Sequence, residues 1–216
     1  MNPEGMNQET SIRGRPKSEQ KRQLIFKAGE TLFLQHGFDH VSMDMVAEQA
    51  GVSKQTVYNH FRNKEELYQE IIASKCIANQ LAAEFMHEDR PCEDMLLEIA
   101  RRFSTLLLSK PAINVYRLSV GHAEQRPHIA RLFYDAGPKY TIVIVAGYLA
   151  EQHAKGRLQI PDPHQAAMQL LYMLKGDAVM RAVLNIEDRP GETEIDHYIK
   201  SCVAMFLRAY GTNVQK

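Results

Sequence analysis

Apolar residues recur every three to four positions along most of this 216-residue chain, and no stretch alternates apolar with polar as a half-buried strand would. The pattern therefore predicts an all-α protein. Ser18 heads a segment in which Leu24, Ile25, Ala28, Leu32 and Phe33 form one stripe, ended by Gly37. Met43, Val46, Ala47 and Ala50 line one face of a short second helix, while Asp44, Glu48 and Gln49 take the other. Gly51 stands where a helix end requires positive φ, and Ser53 caps a third helix whose Val57 and Phe61 point inward. Asn63 with Glu66 three residues later is a capping box. The helix it opens is expected from Lys64 to His87, a span of roughly 36 Å at ~1.5 Å per residue.

The remainder is punctuated by prolines at first-turn positions: Pro91, Pro111, Pro127 and Pro163 each precede apolar residues at helical spacing. Gly137-Pro138 is expected to break or kink the helix opened at Pro127 before it resumes at Tyr140. From Asp162 to Asn185 a helix apolar nearly all round is expected, followed by another from Thr193 to Tyr210. A helix with two apolar faces needs two partners. Leu170, Leu174 and Val179 of the first helix and Ile199, Val203 and Phe206 of the second are therefore assigned to a homodimer interface, a four-helix bundle about a two-fold axis. The competing assignment is that both faces are satisfied within one chain.

The third helix has an unusual outer face. Lys54, Gln55, Thr56, Tyr58, Asn59 and His60 supply donors, acceptors and an aromatic ring but no carboxylate. Such a face suits a helix laid in the DNA major groove, where amides and hydroxyls read base edges and cations and hydroxyls hold phosphates. The 26 basic and 26 acidic residues balance, which argues against a nonspecific nucleic-acid coat. Locally the balance fails: between Ser11 and Lys27 six basic residues stand against Glu19 alone, directly before the helical hairpin.

Taken in order, "VSMDMVAEQAGVSKQTVYNHFRNKEELYQEII" resembles the DNA-binding domain of the TetR family of transcriptional regulators. The likeness runs from about residue 18 to 72. The segment "HAEQRPHIARLFYDAGP" resembles, more loosely, the ligand-binding half of the AefR-like subgroup. The resemblance implies a flexible basic arm (1–17), a helix-turn-helix domain (18–63) and a ligand-binding and dimerisation domain (64–216). It implies a homodimeric repressor on a double-stranded, pseudo-palindromic DNA operator, released by a small-molecule effector and controlling an efflux or catabolic operon. Carried over position by position, Lys54, Tyr58, His60 and Lys64 hold phosphates, Gln55, Thr56 and Asn59 read bases, and Ser42 and Ser53 stand at the two helix starts on the DNA face.

Polar residues set inside apolar stretches mark a candidate effector pocket: Tyr116, Arg117, His122, Tyr140, Tyr172 and Asp177, with Phe103, Leu107, Phe133 and Met168 as apolar lining. Catalytic signatures are missing: there is no G-x-S-x-G, H-E-x-x-H, phosphate loop or C-x-x-C, and no cofactor or metal is expected. His36 and His40 lie four apart, but Gly37 breaks the helix that would align them. Cys76, Cys92 and Cys202 lack metal spacing and fit a reducing cytoplasm, with a redox switch among them left open. The longest apolar run, Ile142 to Ala150, is far short of the ~20 residues of a membrane helix, and the N-terminus has no signal-peptide pattern. The residues also leave open an activator, a DNA-binding regulator without a small-molecule ligand, and an all-α enzyme using Tyr, His and Asp.

Overall fold

The computed structural model describes residues 15–78 and 90–212, with side chains except those of 15–17 and 75–78. The elements are α1 (Arg15–His36), α2 (Met43–Ala50), α3 (Lys54–His60), α4 (Lys64–Ala78), α5 (Cys92–Leu108), α6 (Lys110–Gly121), α7 (Pro127–Tyr134), a π turn (Asp135–Lys139), α8 (Tyr140–Ala154), α9 (Pro163–Leu184) and α10 (Glu192–Tyr210). Among the described residues the extended pairing is a single bridge between Leu158 and Gly211. The all-α expectation holds. Two compact units divide between Tyr68 and Gln69.

The first unit closes around Ile25, Phe33, Val46, Val57, Phe61 and Leu67, each at most 1% exposed. Phe33 stacks on Phe38, and Tyr68 meets both edge-on with centroids 5.3 and 5.2 Å away. The first turn of α4 thus belongs to this core. That is why the units part after Tyr68, where the sequence placed the boundary before Lys64. α1 starts earlier than expected. It begins at Arg15, so Ser18 lies within it as an exposed residue. Pro16 sits in the first turn, where a missing N–H costs nothing. Leu24, expected in the apolar stripe, is 49% exposed.

In the second unit Leu96, Ile99, Ala100 and Phe103 of α5, Val145, Tyr148 and Leu149 of α8, Leu170, Leu171 and Leu174 of α9, and Ile199, Val203 and Phe206 of α10 form one core. Leu158 and Ile160 plug it from the α8–α9 connection, which is tied to the end of α10 by the Gln159 N–H donating to Tyr210 O at 2.7 Å. Arg101 of α5 pairs with Asp196 of α10 at 2.9 Å.

Gly137-Pro138 interrupts its α-helix as expected, by widening the chain into a π turn between α7 and α8, after which the helix continues. Pro138 has no N–H to give the carbonyl four residues back, and a register one residue longer absorbs the defect. α9, expected unbroken, leaves helical geometry at Gly176 (φ 51°, ψ −170°). A Cβ there would lie 2.8 Å from Tyr198 Cε1. The Tyr198 hydroxyl donates to Met173 O at 2.9 Å, filling a carbonyl that the break deprives of its helical donor. The long helix expected to His87 is seen as α4 to Ala78, and residues 79–89 lie outside those described.

Candidate nucleic-acid interface

The α2–α3 hairpin is built by complete capping. Ser42 Oγ accepts the Met45 N–H at 3.2 Å to start α2. Gly51, left-handed at φ 65°, ends it as Val52 N–H reaches Ala47 O at 3.0 Å and Gly51 N–H reaches Glu48 O at 3.1 Å. Ser53 Oγ then accepts the Thr56 N–H at 3.2 Å and starts α3. Between α2 and α3 only three residues intervene, so the two axes are held by backbone bonds and not by a flexible loop. Val57 is fully buried and anchors α3. Arg22 of α1 lies over the Phe61 ring, 5.1 Å from its centroid, and fixes the far end.

What remains outward on α3 is Lys54, Gln55, Tyr58 and Asn59, all exposed, with Thr56 and His60 half-buried. Gln55 Nε2 donates to Asn59 Oδ1 at 3.0 Å, which joins the two amides one turn apart. The Thr56 hydroxyl is 2.8 Å from Ser53 Oγ, so it is engaged at the helix start instead of being presented to a ligand. Lys54 Nζ lies 2.8 and 2.9 Å from the two carboxylate oxygens of Asp44. That hydrogen bond first, and the carboxylate charge second, hold the Lys54 pKa above its ordinary value.

Lys64 departs from the expected phosphate role. Its ammonium donates to Phe38 O at 2.8 Å and Val41 O at 2.9 Å and sits 4.1 Å from the Phe38 ring centroid. The charge is turned inward to satisfy carbonyls of the α1–α2 connection. The capping box also differs in detail: Glu66 N–H donates to Asn63 Oδ1 at 2.8 Å, but the Glu66 carboxylate accepts from the Arg62 N–H at 2.6 Å.

Five of the six residues assigned from the sequence to a dimer interface are corrected. Leu170, Leu174, Ile199, Val203 and Phe206 are each at most 3% exposed within one chain and pack into the core with α5 and α8, which was the competing assignment; Val179 is half-buried. The apolar side chains left outward on these helices are Tyr172, Met180 and Leu184 of α9 and Tyr198 and Met205 of α10, exposed by 44 to 62%. Helical spacing identified both faces of α9 as apolar but not which face the chain covers by itself.

The pocket candidates scatter. Phe103 is buried in the core, and Leu107, Phe133, Tyr140 and Met168 are half-buried. Tyr116 meets Phe133 edge-on at 6.2 Å. Arg117 has a structural role that spacing did not reveal: Nε and Nη2 each donate at 2.6 Å, to Val183 O and Ala182 O, closing the C-terminus of α9 from α6. Asp177 is exposed and paired with Arg181 one turn on. His122 is exposed at the end of α6 with Nδ1 3.0 Å from Leu118 O, and Tyr172 lies under the Lys175 ammonium at 4.3 Å. Ser104 and Ser119, which the sequence reading passed over, are buried with hydroxyls lacking partners. Burial raises the thiol pKa of both Cys92 and Cys202, which suppresses the thiolate a redox switch requires. The Cys76 side chain lies outside those described. Among the described residues no group of His, Cys, Asp and Glu could hold a metal, and no helix is long and apolar enough to cross a membrane.

Two family patterns match the chain. Residues 25–71 match the bacterial regulatory proteins of the tetR family, and residues 94–212 match the C-terminal domain of AefR-like transcriptional repressors. Among curated proteins, the uncharacterised HTH-type transcriptional regulator YhgD of Bacillus subtilis (strain 168) is 43% identical over 54 residues, 25% of this chain and 28% of YhgD. The shared stretch therefore spans little more than a quarter of that relative's length. Among solved structures, a TetR-family transcriptional regulator from Mesorhizobium loti MAFF303099 is 28% identical, with 92% of this chain and 100% of that one covered and a TM-score of 0.76. The flavonoid-responsive regulator FrrA is 30% identical over 91% of this chain and 100% of its own, with a TM-score of 0.71.

Proposed function

The chain belongs to the TetR family of transcriptional regulators, and on that premise we propose that it is a homodimeric repressor that binds a pseudo-palindromic DNA operator and is released by a small-molecule effector. The observation that carries the DNA-binding reading is the rigidly capped α3 with its carboxylate-free outer face. Its Gln55–Asn59 amide pair is the base reader, with adenine, which offers a donor beside an acceptor in the major groove, as the base it fits. Lys54, Tyr58 and His60 take phosphates, with Ser42 and Ser53 at the two helix starts. Thr56 and Lys64 contribute by holding the hairpin in shape.

The dimer reading rests on the outward apolar face of Tyr172, Met180 and Leu184 on α9 and Tyr198 and Met205 on α10. In such a dimer two copies of α3 enter successive major grooves about 34 Å apart. α4 runs from the hairpin unit across the division at Tyr68, so an effector held in the second unit acts by moving it. Phe103, Leu107, Phe133, Tyr140 and Met168 remain the pocket candidates. FrrA is flavonoid-responsive, which makes flavonoids the first effector class to test.

The test is selection of bound sequences from a random duplex pool. The expected result is an enriched inverted repeat whose half-sites lie about 10 base pairs, or a multiple, apart. An enriched single half-site would refute the dimer, and no enrichment would refute sequence-specific binding. Flavonoids added to the selected duplex should then weaken binding saturably; the absence of any such effect removes that effector class alone.

A further inference from the structure

An ion pair on the candidate DNA face joins Lys54 of α3 to Asp44 in the first turn of α2. The ammonium sits 2.8 and 2.9 Å from the two carboxylate oxygens, as it would against two phosphate oxygens. Both side chains are well exposed, 59% and 62%, so the pair is exchangeable and not a structural anchor. No acid occurs on α3 itself. An acid beside Lys54 works against phosphate binding.

We propose that Asp44 is an intramolecular stand-in for a DNA phosphate: it holds the Lys54 ammonium in the free protein and is displaced when Lys54 is handed to the DNA backbone. The inference rests on the DNA-binding reading above and adds a tuning residue to it. The counterion balance gives it a measurable signature. When Lys54 neutralises a phosphate, the DNA releases a condensed cation, but Lys54 must first leave Asp44, an attraction that salt also screens, so the two salt effects oppose each other. Lys54 then adds less than a full phosphate contact to the salt dependence of binding. Without the Asp44 charge nothing opposes the release. The slope of log K against log salt should steepen by at most about 0.9, which is a gain of up to about eightfold in affinity at 0.1 M salt that fades toward 1 M.

The experiment measures binding of the full chain to a short mixed-sequence duplex, and to the selected operator, across a salt series. Asp44→Asn is expected to show the steeper slope and tighter binding on both duplexes, with Asp44→Ser repeating the result and circular dichroism showing both variants folded. In a Lys54→Ala background, Asp44→Asn should leave the slope unaltered, because no ammonium is there to hand over. An Asp44→Asn slope equal to wild type overturns the proposal. So does an equal change with and without Lys54, which would mean that Asp44 only repels DNA on its own. If the wild-type chain binds neither duplex, the DNA-binding reading falls and the stand-in with it; if it binds and the slopes do not move, the stand-in alone falls.

Discussion

Gly176→Ala isolates the feature of the second unit that its sequence hid. At φ 51° and ψ −170° the backbone occupies a region closed to side chains, and holding an alanine there costs about 1–3 kcal/mol. The new Cβ would stand 2.8 Å from Tyr198 Cε1, so the ring must move. Moving it strains the hydroxyl bond to Met173 O, a bond of about 1 kcal/mol. Against this, alanine restricts the unfolded chain and returns about 0.4–1 kcal/mol. The net expectation is a loss of about 1–3 kcal/mol. At roughly 2–4 °C per kcal/mol for a domain of this size, the midpoint of thermal unfolding by circular dichroism should fall by about 2–12 °C. Adding Tyr198→Ala should shrink the further cost of Gly176→Ala, because the steric part is gone. A Gly176→Ala protein as stable as wild type, or more so, would refute the reasoning. It would mean that α9 straightens freely, with the Asp177 N–H taking the Met173 carbonyl that Tyr198 now holds.

Further outcomes separate the roles assigned above. Leu170→Ala should cost about 2–5 kcal/mol in urea unfolding as a core cavity, whereas Met180→Glu should leave a single chain's stability nearly unchanged and weaken self-association in sedimentation. Lys64→Met should destabilise the hairpin unit by about 1–3 kcal/mol, since the Phe38 and Val41 carbonyls lose a charged donor, and should leave the salt slope of DNA binding as it was. Arg117→Met should lower stability by a similar amount, by exposing the last carbonyls of α9, without abolishing an effector response.

The hairpin was legible residue by residue because its information is local. Gly51, Ser53 and Asn63 act on backbone groups within a few positions, and the bond each was expected to make appears as the spacing predicts. The second unit was legible as a series of helices but not as an arrangement. Leu170 and Leu184 are both apolar positions of α9, and only tertiary packing decides that one is buried and the other left outward. The inward turn of Lys64 needed Phe38 and Val41, more than twenty residues away, to be placed first. The break at Gly176 left no mark in the helical spacing because its reason, Tyr198, is on another helix. Arg117 looked like a polar group in a pocket for the same cause: its acceptors are carbonyls of α9.

The central claim is that α3 reads DNA sequence through its amides while Lys54 holds the backbone. Repeating the random-pool selection with Gln55→Ala and with Lys54→Ala tests it most directly. Gln55→Ala should enrich an altered motif that loses base preference at the same position in both half-sites. Lys54→Ala should enrich the wild-type motif at reduced affinity. An unchanged motif with Gln55→Ala, or a changed one with Lys54→Ala, would contradict the account.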